Sequence, residues 1–117
     1  MFVPKNLDLV AEKTISTAMA SSINGPDINV NLYQDFSLFV KWTGTPTGTL
    51  KLQCSNDVGD SVTDWEDIPG SSVAVAGAAG QQVYNYVRAP FRWVRLVWTA
   101  SSGSGTFTKA IFNSKGV

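Results

Sequence analysis

Twice in 117 residues the chain runs a β-rich segment into a short Gly-containing loop and out into a second β-rich segment on the same local plan. The first stretch is Phe39-Val-Lys-Trp-Thr43, then Gly44-Thr-Pro-Thr-Gly48, then Thr49-Leu-Lys-Leu-Gln53. The second is Arg92-Trp-Val-Arg-Leu-Val-Trp-Thr99, then Ala100-Ser-Ser-Gly-Ser-Gly105, then Thr106-Phe-Thr-Lys-Ala-Ile-Phe112. β-Branched and aromatic residues pack well on a pleated surface and lose rotamer freedom in a helix, and clusters of Gly and Ser mark reversals. Each stretch therefore predicts a hairpin, and a fold carrying two of them is built from strands.

The segments between them fit that frame. Ile28, Val30 and Leu32 alternate with Asn29, Asn31 and Tyr33, and Phe36, Leu38, Val40 and Trp42 alternate with Ser37, Phe39 and Lys41. A period of two with one apolar set predicts a half-buried strand in each case. Leu50, Leu52 and Cys54 form a third inner set, and Val94, Leu96 and Trp98 a fourth. Lys13 to Ser21 is rich in Thr and small residues and reads as a strand, followed by the turn Asn24-Gly-Pro-Asp27. Val58 to Gly80 reads as loop anchored by Trp65, Ile68 and Pro69, with a short strand near Ser72 to Val75. Gln82 to Arg88 is a strand with Tyr84 and Tyr86 on one face, ended by Pro90, which has no N–H for a ladder. In the last strand, Thr106 to Asn113, either Phe107, Lys109 and Ile111 or Thr108, Ala110 and Phe112 could point inward, and a bulge would reconcile the two sets.

About eight short strands without an amphipathic helix predict an all-β protein, an antiparallel β-sandwich of jelly-roll or related Greek-key topology. The two matching stretches would be its corners, with Trp42 and Trp98 as core anchors. Residues 1–12 mix charged and apolar side chains without a sustained period and read as an N-terminal arm, leaving 13–117 as a single sandwich domain.

Composition then removes whole classes of function. Nine basic and nine acidic residues leave no net charge, so the long-range field that draws proteins to phosphate backbones is missing and nucleic acid is not an expected partner. The chain has no His, which takes away the commonest general base and metal ligand together. No apolar run reaches membrane-spanning length, and the N-terminus lacks a basic segment followed by an apolar one, so neither membrane nor secretory signal is expected. The single Cys54 reads as a small buried hydrophobe. Asp57, Asp60, Asp64, Glu66 and Asp67 lie close together, but without the alternating ligand spacing of an EF-hand, so they read as a solvated loop rather than a calcium site. The expectation is a protein that is not an enzyme and needs no cofactor or metal. One cluster stands out as a binding patch: Arg88, Arg92 and Arg95 around Pro90, with Tyr84, Tyr86 and Trp93. Planar aromatics beside guanidinium groups stack on sugars or form the centre of protein interfaces, the plainer reading being core aromatics and solvated arginines.

The run Phe36-Ser-Leu-Phe-Val-Lys-Trp-Thr-Gly-Thr-Pro-Thr-Gly-Thr-Leu-Lys-Leu-Gln-Cys-Ser-Asn-Asp57, with Trp65, Phe91 to Thr99 and Gly103-Ser-Gly-Thr-Phe107, resembles small β-sandwich proteins from the structural regions of tailed bacteriophages and prophages. The resemblance spans about residues 28–113. Among their roles it points to a capsid decoration, or cement, protein made in the bacterial host cytoplasm. Such a protein sits on the capsid surface as a dimer or trimer and stabilises the shell by bridging major capsid subunits. The expected contacts are Phe2, Val3 and Leu7 from the arm and Tyr84, Tyr86, Arg88, Arg92 and Trp93 from the sheet. The alternative is a carbohydrate-binding or adhesin-type module of a phage tail fibre using the same aromatics. Because the chain begins at Met1 and reads as a complete single domain, the decoration role is preferred.

Overall fold

A computed structural model describes residues 5–31, 33–88 and 90–115. Ten strands follow in chain order: β1 (Lys5–Asp8), β2 (Ile23–Asn24), β3 (Ile28–Asn29), β4 (Asp35–Gly44), β5 (Thr47–Ser55), β6 (Glu66–Asp67), β7 (Val73–Ala76), β8 (Gly80–Tyr86), β9 (Trp93–Ser102) and β10 (Gly105–Lys115). There is no helix among the described residues. The strands form two antiparallel sheets. One has the order β1-β10-β4-β8, and the other β2-β9-β5-β6, with β3 also on β9 and β7 also on β5. Counted as interrupted strands, β2/β3 and β6/β7 reduce the ten to eight, and the two sheets make the expected antiparallel β-sandwich, with sequence neighbours repeatedly changing sheet.

The two matching stretches are not hairpins. β4 and β5 are joined through Thr45-Pro46 and β9 and β10 through Gly103-Ser104, yet neither pair shares a ladder. Instead β4 pairs with β10 and β5 with β9 along nearly their whole lengths. Each stretch is an arch that crosses the core from one sheet to the other, and the two arches exchange partners. The strand-loop-strand signature is the same for an arch and a hairpin, because local residue types do not encode which strand lies alongside. At the crossing the loops lie on each other. Thr45 N donates to Ser104 O at 2.8 Å, and Gly44 and Gly103 adopt φ of +90° and +74°, a region that glycine enters without a Cβ penalty.

The inner faces are those that alternation predicts. Phe36, Leu38, Val40 and Trp42 of β4 are buried against Leu50, Leu52, Val94, Leu96 and Trp98 of the facing sheet. The ambiguity in β10 is resolved by a register shift between Phe107 and Lys109, which turns Phe107, Ala110 and Phe112 all inward. The short strand expected near Ser72 to Val75 is β7.

Lys13 to Ser21 is not a strand. Its only regular pairing is a single bridge from Ala18 to Thr106, and the segment from Leu9 to Lys13 turns on itself. Thr-rich composition favours a strand, but the segment finds no continuous ladder and packs instead through Ile15 and Met19, both buried as a cover over the core. Lys5–Asp8, within the segment read as an arm, pairs with β10 at the edge of the four-stranded sheet, and Leu9 is buried. Leu32 lies outside the described residues.

Candidate docking face

Register places the outward side chains of the four-stranded sheet in rows across its strands. The central row is Ile111, Phe39 and Val83, directly opposite one another on β10, β4 and β8. Phe39 and Val83 are 52% and 51% exposed, and Val87, just beyond β8, is 67% exposed. On one side runs an amide and hydroxyl row, Asn6, Asn113, Ser37 and Asn85, and on the other Lys109, Lys41 and Gln81. A shallow depression of about 260 Å³ lies between the first two rows, lined by Asn6, Ser37, Phe39, Ile111 and Asn113. A contiguous apolar strip rimmed by polar groups is the usual composition of a protein-binding surface. The signal is present in the sequence: Phe39 is a phenylalanine on the side of β4 otherwise occupied by Ser37 and Lys41.

The aromatic and arginine cluster read from the sequence does not come together. Tyr84 is a core residue, 4% exposed, opposite Leu38 on the inner face of β8. The sequence expectation for it is corrected because β8 takes its facing from β4, which turns Val83 and Asn85 outward instead. The Tyr84 hydroxyl donates to Ser71 O at 2.9 Å, and burial pushes its ionisation far above the usual tyrosine range. Ser71 is itself buried, its hydroxyl donating to Ile68 O at 2.7 Å, with Leu52 O also within reach at 3.1 Å, and accepting from Leu52 N, so the pair pins the 68–71 turn to the core. Tyr84→Phe is expected to cost about 1–2 kcal/mol by leaving the Ser71 carbonyl without its donor. Urea denaturation should show the midpoint falling at an unchanged slope, and an unchanged midpoint would remove Tyr84 from this role.

Tyr86 also faces inward, half-buried, its ring centroid 5.2 Å from that of Phe36. Arg88 is exposed with φ of +57°, held by its backbone N–H donating to Asp35 Oδ1 at 3.1 Å. Arg92 and Trp93 lie at the far end of the other sheet. Arg92 Nε and Trp93 Nε1 both donate to the carbonyl of Asp57 at 3.2 Å, so they clamp the acidic loop. Arg95 bonds Gln53 Oε1 through Nε and an Nη at 2.9 and 2.7 Å and stacks 4.4 Å over Trp65. Leu7 packs against the core from β1. Phe2 and Val3 lie outside the described residues.

The acidic loop satisfies its own carboxylate. Asp57 Oδ2 accepts from Thr63 N at 2.8 Å and Asp64 N at 3.0 Å, and these backbone donors hold its pKa below the ordinary 3.8. Among the described residues no three acidic, Cys or His side chains converge on a point where a metal could sit. A carboxylate with a depressed folded pKa stabilises the loop above the unfolded value, and that contribution is lost as pH falls through the folded one. The protection of the Thr63 and Asp64 amides, exchange rates taken relative to those of the free peptide at the same pH, should therefore hold at neutral pH and fall only below about pH 3.8; protection lost near neutrality would contradict the carboxylate as the anchor. Cys54 is half-buried, and burial together with nearby Glu66 and Asp67 raises its thiol pKa, the opposite of an activated nucleophile.

No protein-family model and no curated protein sequence matches the chain. Solved structures do. The SPBc2 prophage-derived protein YomS is similar over 97% of both chains, at 18% identity and a TM-score of 0.53, a likeness that shows a shared fold. A structure described as Bacillus endospore appendages forming a novel family of disulfide-linked pili is 16% identical over 98% of this chain and 88% of that one, with a TM-score of 0.45.

Proposed function

We propose that this protein is a non-enzymatic structural component of a phage or prophage particle that docks on an assembled protein surface through the outer face of its four-stranded sheet. The finer reading is a decoration protein on the outside of a capsid, bridging major capsid subunits. The observation that carries it is the outward apolar row of half-buried Ile111 and exposed Phe39 and Val83, between a row of amides and a row of lysines. Hydrophobic side chains in the centre supply affinity by leaving water, and the polar rims set orientation. The prophage origin of YomS, whose fold matches over nearly the whole length of both chains, supports this setting. So does a sequence without His and without net charge. The carbohydrate-binding alternative relies on aromatics that this fold engages with its own residues: Tyr84 in the core, Tyr86 against Phe36 and Trp93 on the Asp57 carbonyl.

Co-sedimentation with purified particles tests the proposal. Phe39→Ser is expected to weaken binding by about 2 kcal/mol or more, roughly thirtyfold, as for a central interface anchor. As an exposed position it should change folding stability by no more than about 0.5 kcal/mol. Full binding by Phe39→Ser, or binding to glycans that depends on Trp93, would reject the docking face.

A further inference from the structure

Sheet edges present unpaired backbone N–H and C=O groups, and folds commonly blunt them with short strands, charges or proline. Three of the edge positions here are blunted. The six-stranded sheet ends in the interrupted β2/β3 on one side and β6/β7 on the other, with Gly25-Pro26 breaking the first pair. The β1 edge of the four-stranded sheet has four residues and carries Lys5 and Asp8. The fourth edge, β8, is different: seven residues, Gly80-Gln-Gln-Val-Tyr-Asn-Tyr86, without a charge, a proline or a break in its pairing with β4. Its Val83 carbonyl accepts from the exposed Gln82 side-chain amide at 3.2 Å, a local cap where a neighbouring strand would supply an N–H.

We infer that β8 pairs with β8 of a second copy of this chain, antiparallel about a two-fold axis at Val83, to make one continuous eight-stranded sheet. An isologous contact sets the residue on the axis against its own copy and brings the copies of its neighbours close, so a charge there would meet its like; β8 has none. With Val83 opposite Val83, Gln81 opposes Asn85 and Gly80 opposes Tyr86, so no two bulky or charged side chains of like kind meet on either side of the axis. Residues directly opposite in an antiparallel pair share a face, so the apolar row runs unbroken through the seam as Ile111, Phe39, Val83 and then their three copies in reverse. The dimer doubles the length of the apolar strip without using it, and its existence does not depend on what that strip binds.

Sedimentation velocity over a concentration series tests the pairing. The wild type is expected to dimerise, Val83→Lys to run as a monomer because it opposes two ammonium groups at the axis, and Phe39→Ser to remain a dimer. A wild type that is monomeric throughout, a Val83→Lys variant that still dimerises, or loss of the dimer in Phe39→Ser, which would move the contact to the sheet face, each overturns it. Val83→Cys in a Cys54→Ser background provides a second readout. Opposed residues of a hydrogen-bonded antiparallel pair lie about 5.5 Å apart at Cα, within disulfide reach. Mild oxidation should convert the chain almost completely to a covalent dimer, and failure to cross-link would also reject the axis.

Discussion

Trp98→Ala is expected to remove about 5 kcal/mol of folding stability, enough to leave a domain of ordinary stability largely unfolded. Trp98 is 1% exposed at the centre of the sandwich, where its ring meets Phe107 of the opposite sheet edge-on, centroids 6.4 Å apart. Truncating a buried tryptophan costs about 3–5 kcal/mol through lost transfer energy and the cavity left behind. A further penalty arises because the indole Nε1 donates to Met19 O at 2.9 Å, and that buried carbonyl would lose its partner. The same bond ties the irregular cover segment to the core. Trp98→Phe should fall between the two, keeping most of the volume and losing the hydrogen bond. Chemical denaturation of the three proteins should rank them in that order, and Trp98→Phe matching Trp98→Ala would show that the bond, rather than the volume, dominates.

The second large effect is expected at the crossing of the arches. Gly103→Ala should cost about 3 kcal/mol, lowering the melting temperature by about 15 °C for a domain of this size. A left-handed backbone penalises any Cβ by about 1–2 kcal/mol. Here a Cβ would also stand 2.1 Å from Thr45 O, so the two loops could not stay in contact. Gly70 supplies the control: its φ is +81°, but a Cβ there meets nothing within 4 Å. Gly70→Ala should therefore show only the conformational penalty. Equal melting temperatures for the two variants would mean that the loop contact contributes nothing.

Alternation made the inner faces of β4, β5 and β9 legible, because burial of one side of a pleat repeats every second residue. Even the bulge in β10 could be foreseen, since two incomplete apolar sets fit one strand only if an extra residue separates them. Ladder partners were not legible. Arches and hairpins share turn residues, and the choice between them is made by packing across the core. The facing of β8 was lost for a related reason. Gly80, Gln82, Tyr84 and Tyr86 are no more apolar as a set than Val83 and its neighbours, so only the pairing with β4 decides that Tyr84 goes in and Val83 out. Of the candidate docking face, the sequence shows only that Phe39 lies on the polar side of its strand. The face itself is assembled from residues on β4, β8 and β10 that only the fold brings into one row.

The exchange of partners between the arches bears on how the protein comes to be made. Each long central ladder joins the two halves of the chain, Asp35 with Lys115 at one end and Thr47 with Ser102 near the other. Such non-local pairing forms slowly, because a long loop must close before any contact rewards it. During synthesis β4 and β5 leave the ribosome with their apolar faces and edges unpaired, and neither can be completed until β9 and β10 follow. Folding is thereby deferred to the end of translation, and a chain released before Trp93 would present the open edges of β4 and β5 to whatever lies nearby.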